Sequence, residues 1–442
     1  MKLSINKMLR LFKQITLVNI LLGTLTASAQ VTTSSPYSEF GLGDLKGGFP
    51  QTTAMGGISM GVRKMGSAYN MINTANPASY SSIELTAFDI GTFISSRELS
   101  QGSASGKNLN IGLSHIALAM PVSKKSALSF GLLPYSEMGY LNKRSATLTN
   151  ADNTTTAIDY VHTGDGGLSK VYLGYGFAIT PQFSIGINAA YLFGSLKQSV
   201  ANEFPNDPTA LNSREDNLNS IGAPVLDYGV QYTINTANKS KVTIGYAGTF
   251  VGDVDVVNSK TTSVYRKDFT SGNESLSLNA PYTFDDASSN WTIPMTHSLG
   301  FTFEKTNKLI LGADVRYSEW SSFRQAATNP GLSNSYAIAA GGQITPDINA
   351  IGNYLKLIDY RFGVKYDKTY IRIDDQGIDQ YAVTFGLGLP LKSNRLAVYK
   401  INFATEIGKR GSLVNGLVRE NYVNFSLGFT LNDKWFIKSK FD

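Results

Sequence analysis

The chain has 442 residues, including 42 glycines, 23 tyrosines and 23 phenylalanines, and only 16% of it is charged, where a soluble domain has nearer a quarter. Cysteine is absent, which excludes disulfides, thiolate metal sites and thiol catalysis together. The formal charge of +6 sits largely at the N-terminus: four of 39 basic residues precede position 30, leaving 35 against 33 acids, or +2. A nearly neutral remainder offers no footprint for nucleic acid.

The first thirty residues read as an export signal. Lys2, Lys7, Arg10 and Lys13 precede an apolar run over 15–25, broken only by Thr16, Asn19, Gly23 and Thr24, and Ala27-Ser28-Ala29 follows. A basic start, a short apolar core and an A-x-A end predict a cleavable signal peptide over 1–29, too short to serve as a spanning helix. The other reading of this stretch is a buried or anchoring N-terminal helix. Cleavage would start the mature chain near Gln30, which is not cysteine and so not a lipidation site. No later apolar stretch approaches the roughly 20 residues a spanning helix needs. A large exported chain without disulfides needs another device to hold it, and a barrel closed in lipid is one.

Residues 30–83 do not alternate. They hold Gly41, Gly43, Gly47, Gly48, Gly56, Gly57, Gly61 and Gly66 among short apolar patches that include Phe40, Leu42, Phe49, Met55 and Ile58. The segment is too long for a simple tail and is expected to fold into the lumen as a plug, or hatch; the alternative is a disordered periplasmic extension.

From residue 84 the pattern changes to period two. Val171, Leu173, Tyr175, Phe177 and Ile179 alternate with Lys170, Tyr172, Gly174, Gly176 and Ala178; Leu309, Leu311, Ala313, Val315 and Tyr317 with Ile310, Gly312, Asp314, Arg316 and Ser318; and Val423, Phe425, Leu427, Phe429 and Leu431 with Tyr422, Asn424, Ser426, Gly428 and Thr430. Successive strand side chains face opposite sides, so each segment has one apolar and one small or polar face. A soluble β-sandwich alternates similarly; the leader, glycine content and strand length favour an all-β transmembrane antiparallel barrel. Fourteen strands are predicted, near 84–98, 108–121, 126–140, 167–179, 182–199, 223–234, 240–254, 293–304, 308–323, 355–366, 369–375, 378–390, 395–408 and 419–431. The domain reading is thus signal peptide 1–29, hatch 30–83, barrel 84–432 and periplasmic tail 433–442. Short turns at 122–125, 180–181, 235–239, 305–307, 367–368 and 391–394 are expected to face the periplasm. The long connections at 141–166, 200–222, 255–292 and 324–354 are expected to face outward.

Pro134 interrupts the third strand. Proline cannot donate to a ladder, so it implies a local gap or bulge in the wall, or else a position near the outer rim. Inward-facing Asp314, Arg316, Lys400 and Glu406 need partners across the lumen or on the hatch, and read as structural charges or as the lining of a route.

Enzyme chemistry is not legible. The histidines are His115, His162 and His297. His115 follows Ser114 in a strand and reads as a polar lumen or interface residue rather than as part of a triad. His297 and Ser298 would face opposite sides. Two acidic clusters, Asp285-Asp286 and Asp374-Asp375-Gln376-Gly377-Ile378-Asp379, offer oxygen ligands of the kind calcium takes but read as solvated hairpin tips. No catalytic residue, metal site or cofactor is expected.

Several of these segments together resemble one family. Ala54-Met55-Gly56-Gly57 followed by Asn73-Thr74-Ala75-Asn76-Pro77-Ala78-Ser79 looks like the hatch of the FadL/TodX family of outer-membrane transporters for hydrophobic compounds. Its Asn-Pro-Ala element is matched by Asn76, Pro77 and Ala78. Ile293-Pro294, Asp314-Val315 and Trp320-Ser321-Ser322-Phe323, with Tyr360-Arg361-Phe362-Gly363 and the run from Val383 to Pro390, resemble its later strands. The ending, Ile437-Lys438-Ser439-Lys440-Phe441-Asp442, lacks that family's terminal aromatic. The resemblance implies an outer-membrane channel for passive uptake of hydrophobic compounds such as long-chain fatty acids. It also implies a lateral exit where the third strand kinks, with the Asn-Pro-Ala element lying against that opening. The expected partners are membrane lipids or lipopolysaccharide, a hydrophobic small molecule and no nucleic acid. The second reading is a non-transporting barrel that serves as a subunit or docking partner of a secretion machine and so has an envelope protein partner. A barrel enzyme such as a lipase is the remaining one.

Overall fold

The computed structural model describes residues 35–435 apart from 43–47, 65–68, 238, 276–277, 279–281, 327, 374 and 392–396, and gives only the backbone of 282–287. The signal-peptide segment 1–29, a start near Gln30 and residues 436–442 lie outside the described residues, as does Asp374.

Period-two alternation cannot bury two faces of one strand in a single core, so these segments pair edge to edge and present one face to lipid. Among the described residues, seventeen strand segments form one antiparallel sheet. Three of them continue a strand after an interruption, which leaves fourteen staves. We number them β1 (Thr86–Gln101), β2 (Ala104–Ser123), β3 (Ser126–Thr149), β4 (Thr155–Ala178), β5 (Phe183–Glu203) and β6 (Asn212–Thr236). Next come β7 (Ser240–Phe250 continued by Gly252–Tyr265), β8 (Tyr282–Ile293 and Thr296–Lys305, parted at Pro294) and β9 (Leu309–Ser318 and Arg324–Gln325). The circuit ends with β10 (Ser335–Ile344), β11 (Asp359–Ile373), β12 (Gln376–Leu391), β13 (Val398–Arg410) and β14 (Arg419–Asp433). β14 returns to β1 in register from Thr86↔Asp433 to Ser100↔Arg419, and the ring closes.

The alternation maps onto the two faces as expected. On β4, Val171, Leu173, Tyr175 and Phe177 are exposed on the outer wall, while Tyr172 and Ala178 are buried inside. On β14, Phe425, Leu427 and Phe429 are exposed, with Tyr422, Ser426 and Thr430 buried. Among the described residues no helix is long and apolar enough to cross a membrane.

The expected count of fourteen is right, but two of its strands are not. The segments 355–366 and 369–375 belong to one strand, β11, whose register with β12 slips between Lys368 and Arg372 instead of turning at 367–368. The missing strand is β10, inside the expected loop 324–354. Its Ala339-Ala340-Gly341-Gly342 carries too little side chain to show an apolar face. That smallness has a physical reason, since a Cβ on Gly341 would lie 2.3 Å from the Met55 carbonyl oxygen. The outer connections are also shorter than expected. β3 to β8 run on past the apolar band as sheet, because above it polar residues occupy both faces and the apolar signal ends while the ladder continues. The connection 345–358, with a 3-10 turn at Tyr354–Lys356, lies at the short-turn end of the barrel.

Single cysteines read this topology cleanly, because the chain has none of its own. With the short turns in the periplasm, Asn329→Cys and Asp152→Cys should react with an impermeant maleimide on intact cells. Ile351→Cys and Lys124→Cys should react only after lysis. Labelling of Ile351→Cys from outside would restore the single outer loop over 324–354 and remove β10.

Candidate functional site: an open seam between β2 and β3

The β2–β3 ladder covers only part of the two strands. It runs from Ser123↔Ser126 to Ile116↔Leu132 and stops. β2 continues to Ala104 on its β1 side, and β3 continues to Thr149 on its β4 side. Residues 104–115 and 133–149 therefore have facing edges without a common ladder. Ile111 and Leu109, both exposed and apolar, keep this stretch of β2 at the depth of the outer part of the apolar band. Pro134 stands two residues beyond the last paired residue of β3, beside a bulge between Pro134 and Ser136. β2 has its own irregularity between Gly91 and Thr92 of β1, where Ser114 is the extra residue. Two offset strands flank the seam, which is bridged by a side-chain bond: Asn110 Nδ2 donates to Glu137 Oε1.

The start of the described chain lies on the free edge of β3. The Ser35 amide donates to the Gly139 carbonyl at 2.8 Å, the Gly139 amide donates to Ser38 Oγ at 3.0 Å, and Ser136 Oγ donates to the Gly41 carbonyl. The same few residues reach β14: Val418 N donates to the Tyr37 hydroxyl at 3.1 Å, that hydroxyl donates to the Val418 carbonyl, and Ser35 Oγ donates to Glu420, which also pairs with Arg97 at 3.0 Å. Tyr37 and Leu42 then enter a buried apolar cluster with Met138, Tyr140, Leu168 and Phe323. Its aromatic part is dense: Trp320 stacks on Tyr370 at 4.4 Å, and Phe323 meets Trp291 edge-on at 6.1 Å. Apolar interior and open seam thus share one set of N-terminal residues.

Residues 49–64 and 69–83 pack against strands all round the ring. Helix α1 (Pro50–Thr53) sets Gln51 so that its amide donates to Asp89 on β1 at 2.7 Å. Asn70 N donates to Asn432 on β14 at 2.9 Å, Gly56 N to Thr384 on β12 at 2.9 Å, and Gln231 of β6 donates to the Met60 carbonyl at 2.7 Å. Inward glycines permit the approach: a Cβ on Gly245 would lie 1.9 Å from the Met60 oxygen, and one on Gly186 would lie 2.3 Å from the Pro77 carbonyl carbon. Side chains there would overpack the interface at about 1–3 kcal/mol each. Burial pushes the Tyr80 phenol well above its ordinary value, and its hydroxyl donates to Asn188 at 3.0 Å.

Asn76, Pro77 and Ala78 are buried, and Tyr80 of the turn that they open shares a buried apolar cluster with Leu133 of β3. The Asn76 side chain caps the 3-10 turn Pro77–Ser82 through Ala78 N at 3.2 Å, and its amide donates to the Met60 carbonyl at 2.9 Å. The element rests on the inward glycines of β4 to β7, among them Gly176, Gly186 and Gly229. Of the N-terminal residues, Ser35, Ser38 and Gly41 hydrogen-bond to β3 beside the seam.

The four inward charges are paired, in two ways. Asp314 accepts from the amides of Ser59 at 2.6 Å and Met60 at 2.9 Å, so it holds the N-terminal segment. The other three pair along the wall with β11, each across one intervening strand: Lys400 with Asp359 at 2.6 Å, Glu406 with Lys365 at 2.9 Å and Arg316 with Asp367 at 3.3 Å. Asp359 also takes Arg361 at 3.0 Å.

A polar chain that the sequence reading undervalued ends at the seam. The extra residue in β2 places Ser114 and His115 on the same side: Ser114 Oγ lies 3.0 Å from His115 Nδ1, and His115 Nε2 lies 2.8 Å from Asp89 Oδ1. All three side chains are fully buried, Ser114 Oγ donates to the Gly48 carbonyl at 2.9 Å, and the Phe49 ring lies 4.1 Å from the imidazole. With the serine occupied and covered, the triad-like order ties residues 48–51 to β1 and β2. His297 bonds to Tyr246 at 2.8 Å. Among the described residues, no group of three acidic or histidine side chains is placed to hold a metal ion.

The fold is shared with solved outer-membrane channels. The Ralstonia pickettii toluene transporter TbuX aligns over 88% of this chain and 99% of its own, at 14% identity and a TM-score of 0.58. The CymD monoaromatic hydrocarbon channel aligns over 88% and 99%, at 14% identity and a TM-score of 0.54. A Pseudomonas aeruginosa FadL homologue aligns over 90% and 100%, at 13% identity and a TM-score of 0.53. At these identities the likeness is one of fold, the FadL-like outer-membrane barrel. No curated protein matches the sequence. The BamG family model matches residues 11–442, and the chain belongs to the BamG family.

Proposed function

We propose that the protein is an outer-membrane portal through which hydrophobic molecules pass passively between the apolar outer interior and the membrane, leaving sideways through the seam. The observation that carries this reading is the early end of the β2–β3 ladder at Ile116↔Leu132, beside Pro134. An aperture bounded by Ile111 and Leu109 outside and by Tyr37, Met138 and Tyr140 inside has apolar surface on both sides. Residues 30–83 act as the plug: bonds from Asp314, Gln231, Thr384 and Asn432 hold it, and residues 35–41 cover the inner face of the seam. The leader 1–29 delivers the chain to the periplasm. Neither an energy source nor a cofactor enters this mechanism.

A second reading has its own support. The seam rim also carries Asn110, Ser114, Ser136 and Glu137, and free strand edges pair with an extended polypeptide better than with an oily molecule. On this reading the protein is a docking subunit of an envelope machine, and a partner segment adds to β2 or β3.

Deleting residues 30–80 should leave a barrel that inserts and conducts ions in planar bilayers, since a fourteen-stranded lumen then fills with water. A silent deletion variant would remove the plug. Replacing Pro134 by valine adds one ladder donor at about 0.5–1.5 kcal/mol, so heat-modifiable migration on gels should be unchanged. Uptake of a labelled long-chain fatty acid or monoaromatic compound should nevertheless fall severalfold. Unchanged uptake would sink the lateral exit. No apolar uptake in the parent strain, together with co-purification of another envelope protein that Pro134→Val weakens, would establish the docking reading instead.

A further inference from the structure

The outer wall carries a polar row above an apolar groove, on the face opposite the lumen. In register across β11, β12 and β13 lie Val364↔Val383↔Ile407, and one row nearer the outer end Tyr366↔Tyr381↔Lys409. All but Tyr366 are exposed, and the groove over Val364, Tyr381, Val383, Ile407 and Lys409 has a volume of about 500 Å³. The tyrosines form a continuous set: Tyr336 of β10 lies 6.1 Å from Tyr366, which lies 5.1 Å from Tyr381. Lys368 sits over the Tyr336 ring at 5.6 Å, and the Tyr366 hydroxyl donates to Asp379 at 3.3 Å. Lys409 is the penultimate residue of β13 at the loop end, exposed and without an ion pair among the described residues. With Lys368 and Asp379 the row carries a net single positive charge.

We infer that this face binds an anionic saccharolipid of the outer leaflet, with one acyl chain along Val364, Val383 and Ile407 and a phosphate between Lys409 and the tyrosine hydroxyls. The chemistry of the surface selects that occupant. An apolar floor one residue row deep beneath cations is the profile of an amphiphile entering tail first from the outer interface, and a zwitterionic headgroup would leave the excess charge unmatched. Tyrosine suits the position because its ring packs on the chain while its hydroxyl meets the headgroup.

The experiment uses the full chain purified in detergent, with diphosphoryl lipid A, dephosphorylated lipid A and phosphatidylethanolamine added in turn, and retention read by native mass spectrometry. The parent should retain diphosphoryl lipid A in preference to the other two. The double variant Lys368→Ala, Lys409→Ala should bind it roughly thirtyfold more weakly, about fivefold per lysine, while migrating as a folded, heat-modifiable barrel. Tyr381→Phe should lose part of the phosphate preference and none of the acyl contact. Equal retention of all three lipids by the parent, or retention of diphosphoryl lipid A unchanged in the double variant, would overturn the site.

Discussion

In hydrocarbon a backbone amide or carbonyl without a partner costs several kcal/mol, so a sheet that crosses a membrane has to close on itself. Most of this molecule follows from that constraint. β14 finds β1 over the whole register from Thr86↔Asp433 to Ser100↔Arg419, and interruptions elsewhere, at Val251 and Pro294, are bridged by strands on either side. Among the described residues, the adjacent strands β2 and β3 have no common ladder beyond Ile116↔Leu132. Their edges are supplied with partners from inside the barrel, by Ser35, Ser38 and Gly41 and by the Asn110–Glu137 bond. Strand edges that lack a common ladder thus find their hydrogen-bond partners on the N-terminal residues and on side chains.

The N-terminal segment also bears on the composition of the wall. Its backbone approaches β4 to β7 closely enough that Gly186, Gly229 and Gly245 admit no side chain. Buried carboxylates are stable there because backbone amides reach them, as Ser59 and Met60 reach Asp314.

Much of this was legible in the sequence and some was not, for identifiable reasons. Alternation exposed the strands wherever one face met lipid, as at Val171 to Phe177, because lipid demands apolar side chains at every second position. It failed at Ser335–Ile344, where contact with Met55 demands small residues and erases the contrast between faces. It also fell short over 141–149 and 255–265, where the ladder outlasts the membrane. Pro134 stands two residues past the last paired residue of β3, and proline is a signal local to the strand itself. The partners of that seam were not legible: Ser35, Ser38, Asn110 and Glu137 are ordinary polar residues in sequence, and only the strand register brings them together. Asn76, Pro77 and Ala78 stand out in sequence because a capped 3-10 turn needs that order, and the structure uses them against β4 to β7. His115 next to Ser114 reads in sequence as a plain polar residue of a strand, and only the extra residue in β2 sets the two side chains on one side.

Paired cysteines measure the seam directly, in a chain that has none of its own. Leu118→Cys with Phe130→Cys spans the closed ladder, in register. Extending that register would set Lys107 opposite Leu141. Disulfide formation needs Cβ atoms about 3.5–4.5 Å apart. An open seam therefore requires that the 118/130 pair oxidise readily in intact outer membranes while the 107/141 pair stays reduced under the same oxidant. Efficient oxidation of both pairs would mean that β2 and β3 are zipped to their outer ends, and would contradict a lateral opening in this wall.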